Sequence, residues 1–282
     1  MEKVLVTGVA GQLGYDVLRV LKERNIDAAG VDIADFDLTD KSAVLSTIQK
    51  IRPTCIVHCA AFTAVDRAED EPDAAYAVNV LGTRHIALAA KEAGAKLMYI
   101  STDYVFDGEK VGAYDAEDPK NPLGVYGRTK YQGEAECQNL VEKLFIVRLS
   151  WVFGKNGGNF VKTMLRLAQT KKEITVVSDQ TGSPTYTPDA AELICDMIAT
   201  EKYGAYNASN EGTCSWFEFA AQIMKQAGLD TVIKPIRAAD YPTRTKRPKN
   251  SCFSKKELDE NGFARLPHWK DALARFLKGE GY

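Results

Sequence analysis

The chain has only six cysteines in 282 residues (Cys55, Cys59, Cys137, Cys195, Cys214 and Cys252) and no Cys-x-x-Cys pair, which excludes a disulfide scaffold and reads as reduced thiols. It has no surplus of either charge. Lys and Arg number 36 against 38 Asp and Glu, a net charge of -2, so no bulk field exists to hold DNA, RNA or an anionic membrane. No apolar run approaches the roughly 20 residues of a membrane span, since stretches such as 86–90 and 194–199 are broken by charge. The sequence starts Met-Glu-Lys and enters a strand-like Val-Leu-Val without a basic and apolar leader, so a cytoplasmic protein is expected. With 10 Pro and 21 Gly the chain is neither collagenous nor of low complexity.

What is present is a globular composition, 45% hydrophobic and 26% charged, in a chain long enough for two structural units or one large α/β unit. Residues 3–7, 28–32, 54–59, 96–101 and 144–149 are β-branched runs alternating with helical patterns, the signature of βαβ units and a parallel sheet. Helices are expected over 11–24, from a cap at Thr39 or Asp40 to Pro53, over 72–93 ending at Gly94, and over 125–141. Beyond Trp151 the rhythm is irregular, with helices near 159–170, 188–199, 215–227 and 268–277. Loops 179–187 and 239–253 are long enough to face a ligand. The reading is therefore an α/β doubly wound parallel sheet over 1–150 that binds a dinucleotide. A smaller, interleaved substrate-binding unit is expected over 151–282, with some segments returning to the core.

Gly8, Gly11 and Gly14 stand at the first strand-to-helix junction, where the missing Cβ atoms let backbone N–H groups approach a pyrophosphate at the positive end of a helix. Asp32 closes the second predicted strand, placed to accept the adenosine ribose hydroxyls and to repel the extra phosphate of NADP, so NADH is slightly favoured over NADPH. The bland reading of the triplet is a tight turn, and that of Asp32 a solvated acid at a strand end. Tyr126 and Lys130 are four apart in a helical stretch and so share a face. At about 6 Å and an effective dielectric near 20, an ammonium stabilises a phenolate by roughly 2.8 kcal/mol. Desolvation opposes that shift and an oxidised nicotinamide supports it, so the sign depends on the cofactor. Cys55 and Cys59 flank His58, but a strand's period of two puts the imidazole on the opposite face, and no metal site is expected there.

Taken in order, Thr7-Gly-x-x-Gly-x-x-Gly14, His58-Cys-Ala-Ala61, Val78-Asn-Val80, Ser101-Thr-Asp103 and Tyr126-x-x-x-Lys130 resemble the extended short-chain dehydrogenase/reductase superfamily, with its Rossmann-type fold. Longer strings are similar to the dTDP-4-dehydrorhamnose reductase family: Ala61-Phe-Thr-Ala-Val-Asp66, Ile100-Ser-Thr-Asp-Tyr-Val-Phe-Asp-Gly108, Arg148-x-x-Trp-Val-Phe-Gly154, Asp179-Gln-x-Gly-Ser-Pro-Thr185 and Arg247-Pro-x-Asn-Ser251. The resemblance implies a catalytic group of Thr102, Tyr126 and Lys130. It implies a dinucleotide lined by Gly8, Gly11, Gln12, Leu13, Gly14, Asp32, Asp37, Leu38, Ala60, Ala61, Thr63, Tyr126 and Lys130. Substrate contacts implied are Thr102, Asp103, Tyr104, Tyr126, Trp151, Gln180 and Arg247. For Trp151 the alternative is core filling, for Arg247 a surface ion pair, and Asn79 is read as structural.

The implied reaction is NADH- or NADPH-dependent reduction of the 4-keto group of dTDP-4-dehydro-L-rhamnose, with Tyr126 protonating the nascent alkoxide. Asp103-Tyr104 stands where the related dehydratases carry Asp-Glu, which argues against elimination. His58, His85 and His268 lie outside the positions of an epimerase base. Tyr15 stands where some members carry a glutamate bridging a Mg²⁺ dimer, so no metal is expected, and the chain is expected as a monomer or homodimer. The alternatives are reduction of another nucleotide-linked 4-keto sugar, or a non-catalytic regulator similar to the β subunit of methionine adenosyltransferase.

Overall fold

The computed structural model describes residues 3–282. Its centre is a six-stranded, wholly parallel sheet: β1 (Lys3–Thr7), β2 (Asp27–Val31), β3 (Cys55–His58), β4 (Lys96–Thr102), β5 (Leu144–Leu149) and β6 (Gly204–Ala208), in the order β2-β1-β3-β4-β5-β6. The expected α/β, doubly wound, Rossmann-type architecture is present, and five of the six strands fall where alternating β-branched runs predicted them. β6 was not expected as a strand; Gly204-Ala-Tyr-Asn-Ala208 is short and carries little β-branched signal, and it forms by pairing with β5.

Alternation along the strands divides the core into two layers. Val4, Val6, Val57, Met98, Phe145 and Val147 face one side, where they meet Leu13, Val17, Val20 and Leu21 of helix Gln12–Glu23. Each such side chain contributes roughly 1.5–3 kcal/mol when fully buried. Leu5, Ile56, Leu97, Tyr99 and Ile146 face the other side, under helices Lys41–Ile51, Thr83–Ala93 and Val125–Leu140. Helix Thr187–Ile198, though late in sequence, completes the first layer beside Gln12–Glu23. Its Thr187 hydroxyl donates to buried Asp16 at 2.6 Å.

A third apolar cluster unites Phe153, Val161, Ile174, Phe219, Trp269 and Phe276 from the rest of the C-terminal region. It is carried by helices Phe160–Ala168, Trp216–Ala227 and Trp269–Gly279. Ser215 and Glu218 form a capping box at the start of the second of these.

Residues 72–93, expected as one helix, are instead α-helical over Pro72–Tyr76, widen to a π turn over Ala77–Gly82, and return to α over Thr83–Ala93. The wide turn carries buried Asn79, whose Oδ1 accepts from the Phe62 amide at 2.8 Å and whose Nδ2 donates to the Phe62 carbonyl and Thr129 Oγ1, both at 3.1 Å. Asn79 thus braces the segment after β3 against the helix that bears Tyr126. That helix is also tied to β5 by Glu134 and Arg148, each 1% exposed and joined by two hydrogen bonds of 2.8 and 2.7 Å. Arg148 spends a further donor on the Ala116 carbonyl at 2.8 Å.

Candidate active site

The chain runs outward from β1 to β2 and then returns to β3 on the other side of β1, so the carboxyl ends of β1 and β3 border a crevice. The glycine loop turns there. Gly8 has φ +73, and a Cβ on it would lie 2.7 Å from the Ala60 amide nitrogen, so only glycine fits. Its amide bonds the Val31 carbonyl at 2.9 Å, and its carbonyl accepts from Gly11 at 3.0 Å. Helix Gln12–Glu23 begins at Gly11 with no side-chain cap and no acidic residue in its first turn. Its orphan N–H groups and positive end suit an anion.

A cavity of about 630 Å³ runs from this loop to the carboxyl end of β4. Gly8, Gly11, Gln12, Leu13, Gly14, Asp32, Asp37, Leu38, Ala60, Ala61 and Thr63 line one end of it. Thr102, Asp103, Tyr104, Tyr126, Lys130 and Trp151 line the other. Gln180 and Arg247 are not among the lining residues. Gln180 is buried, and Arg247 Nη2 pairs with Asp66 Oδ2 at 2.9 Å. Loops 179–187 and 239–253 do not line the cavity either; Ser251 reaches its wall by donating to Asp103 Oδ2 at 2.5 Å.

Asp32 has a second task beyond the one expected of it. Its Oδ2 accepts from the Ala10 amide and its Oδ1 from the Ile33 amide, both at 2.8 Å, so the carboxylate pins the glycine loop to the end of β2. One lone pair on each oxygen is left for a ligand.

At the opposite end, Thr102 closes β4 and donates to Asp103 Oδ1 at 3.0 Å. Burial pushes the Asp103 carboxyl up to about 6 against the hydrogen bonds from Ser251 and Thr102. Tyr104 packs edge-on against Tyr126, ring centres 5.5 Å apart. Burial also dominates at Tyr126, pushed up to about 12, with the Thr102 hydroxyl working the other way. Lys130 does not offset it. Its ammonium donates to the Ile100 carbonyl at 2.8 Å and stands 4.2 Å from the centre of the Tyr99 ring, and desolvation draws it down to about 8. The competition between an ammonium and desolvation thus goes to desolvation in the protein alone.

Trp151 stands between cavity and core. It lines the cavity and stacks on Trp216, ring centres 3.6 Å apart and planes 12° apart, with its own φ at +49. His58 is buried between the Thr7 and Thr83 hydroxyls at 2.8 and 3.2 Å, and desolvation lowers it to about 3. It is a neutral core histidine.

The loop after residue 153 contributes as well. Asn156 donates to the Ala10 carbonyl at 2.7 Å, Asn159 donates to Gln12 Oε1 at 3.0 Å, and Gly157 and Gly158 line the cavity. The loop after residue 153 therefore lies over the glycine loop. Adjacent glycines ahead of a helix-capping Asn159 were the available signal.

Uncapped helix, glycine cradle and cavity fit a dinucleotide, and together with the sheet they define the class: a Rossmann-type dinucleotide-binding protein. The chain matches the family described as RmlD substrate binding domain over residues 1–281, and it belongs to that family. It is 41% identical over 278 residues to the spore coat polysaccharide biosynthesis protein SpsK of Bacillus subtilis, covering 99% of this chain and 98% of that one. It is 39% identical to the dTDP-4-dehydrorhamnose reductase of Aggregatibacter actinomycetemcomitans, with 97% of each covered. A crystal structure of dTDP-4-dehydrorhamnose reductase from Bacillus anthracis in complex with NADP superposes with a TM-score of 0.96 at 45% identity, covering 99% of both chains.

Proposed function

We propose that this chain is an NAD(P)H-dependent reductase that converts dTDP-4-dehydro-L-rhamnose to dTDP-L-rhamnose in the cytoplasm. The observation that carries the reading is that Thr102, Tyr126 and Lys130, from two separate elements, line the same cavity as the glycine loop. Family membership supports the substrate. The loop amides and the start of helix Gln12–Glu23 would hold the pyrophosphate, with Asp32 at the adenosine ribose and Lys130 at the nicotinamide ribose. A reduced nicotinamide, when bound, supplies the hydride to C4 of the sugar.

The remaining work belongs to side chains. Tyr126 keeps its proton at neutral pH as an ordinary phenol does, and burial, by raising it further, leaves that proton to be released only to a strong base. The alkoxide left by carbonyl reduction is such a base, so transfer runs downhill even from a phenol held near 12. Thr102 has a single hydroxyl proton, given to Asp103 in the protein alone, and would turn it to the same oxygen as negative charge develops there. Lys130, anchored on the Ile100 carbonyl, keeps further N–H donors for ribose hydroxyls and places a positive charge beside the phenolate that Tyr126 becomes. Trp151 and Tyr104 supply apolar walls for the sugar.

NADH is favoured over NADPH on charge: Asp32 and Asp37 line the adenosine end, and Lys130, at the far end, is the one basic residue among the described lining residues. The test is loss of coenzyme absorbance with dTDP-4-dehydro-L-rhamnose, compared with UDP- and GDP-linked 4-keto sugars and between NADH and NADPH. Turnover confined to the dTDP sugar with a higher kcat/KM for NADH supports the reading. Turnover of a different keto sugar alone reassigns the substrate, and no turnover of any removes the enzymatic reading.

A further inference from the structure

The helix Val125–Leu140, which carries Tyr126 in its first turn, has no cap of its own. Gly124 occupies the N-cap with no side chain to offer, and no acidic residue stands in the first turn. The Val125 amide would be an orphan donor. It is instead satisfied from 56 positions upstream, donating to Glu69 Oε1 at 2.7 Å. A Cβ on Gly124 would lie 2.6 Å from that same oxygen and 2.7 Å from Thr245 Cγ2, so the glycine is the space into which the remote cap fits.

Glu69 is itself held. Its helix, Val65–Asp70, is strapped by Thr245, whose hydroxyl donates to the Val65 carbonyl at 3.2 Å, by the Arg247–Asp66 pair, and by an ion pair of Arg244 with Asp70. Thr245 is 1% exposed. Ala68, one residue before Glu69, packs in a small apolar cluster with Val125 and Tyr126. Glu69 does not line the cavity.

We infer that Glu69 is a positioning residue for Tyr126, capping from another helix the turn on which the phenol stands. It acts through the Val125 amide and touches neither coenzyme nor sugar. The role in turnover rests on the proposed reading of Tyr126 as proton donor, whereas the cap itself can be measured in the protein alone.

The experiment takes Glu69→Ala, Glu69→Asp and Glu69→Gln in the full chain. Amide hydrogen exchange by NMR reads the cap, and steady-state kinetics with NADH and dTDP-4-dehydro-L-rhamnose read its consequence. E69A and the shorter E69D should speed exchange of the Val125 amide by at least about 5-fold, the equivalent of a lost helix cap. They should lower kcat by about 10- to 100-fold, the scale of a small misplacement of a reacting group, with KM for NADH within about twofold. E69Q, which keeps an oxygen acceptor at the same reach, should restore both. Should E69A not fold, E69D carries the comparison. Unchanged exchange in E69A and E69D, or a loss in E69Q equal to theirs, overturns the inference. If wild type turns over no keto sugar, the reductase reading fails while the exchange result still decides the cap.

Discussion

The two ends of the cavity are built by opposite means. The glycine-loop end is largely backbone and small side chains from the turns that follow β1, β2 and β3, with Asp32 pinning the glycine loop from the end of β2. The Tyr126 end is assembled from side chains delivered by the end of β4, the Val125–Leu140 helix and Trp151 after β5, held by the Thr102–Asp103, Ser251–Asp103 and Lys130–Ile100 hydrogen bonds and by the stack of Trp151 on Trp216. Backbone recognition needs local geometry and tolerates distant change. Side-chain chemistry depends on supports scattered through the chain, and its electrostatics are set by burial rather than by the nearest opposite charge.

Substitutions at the two ends should therefore fail differently. Tyr126→Phe removes the proton donor and should lower kcat by about 10²–10⁴-fold. The dinucleotide affinity, measured by fluorescence titration, should stay within about twofold; a large loss of affinity would merge the two ends into one. Arg148→Met leaves Glu134 charged and buried and should lower stability by about 3–5 kcal/mol in urea unfolding. Replacing Glu134 by Leu in the same protein should recover much of that loss, because the lone charge is gone.

Gly8→Ala probes the other end. A positive φ and a backbone contact at 2.7 Å resist any side chain, so dinucleotide affinity should fall about 10- to 100-fold on a strain of 1–3 kcal/mol. The smallest effect concerns pH. Burial lowers Lys130 to about 8, so its charge is lost as pH rises through that value rather than near the ordinary lysine range. The logarithm of kcat/KM should fall with a slope approaching one tenfold step per pH unit above about 8, and a plateau to pH 10 would show that the ammonium is not needed.

The contrast between the ends also governs what could be read from residue order. Gly8, Gly11 and Gly14 are legible as spacing because a backbone cradle is local, and the parallel sheet is legible because each strand alternates between two buried layers. Tyr126 and Lys130 are legible as a helical pair, but the partner each finds is not. Lys130 turns to the Ile100 carbonyl and the Tyr99 ring, contacts made by a strand some 30 positions earlier. The π turn at Ala77–Gly82 is invisible to periodicity, and the buried Asn79 it carries bonds to Phe62 and Thr129, 17 and 50 positions away. The clasp of Asn156 and Asn159 on the glycine loop, and the carboxylate of Glu69 on Val125, are likewise long-range bonds between polar residues with no pattern of their own.

The central claim, that phenol, alcohol and amine serve one reacting centre, is tested most directly by a crystal structure with NADH or NADPH and a dTDP-linked sugar bound together. The account predicts the Tyr126 and Thr102 oxygens both within about 3.2 Å of the sugar's C4 oxygen. It also predicts the Lys130 amine on the nicotinamide ribose. A nicotinamide seated elsewhere, or a Tyr126 hydroxyl beyond hydrogen-bond reach of that oxygen, would contradict it.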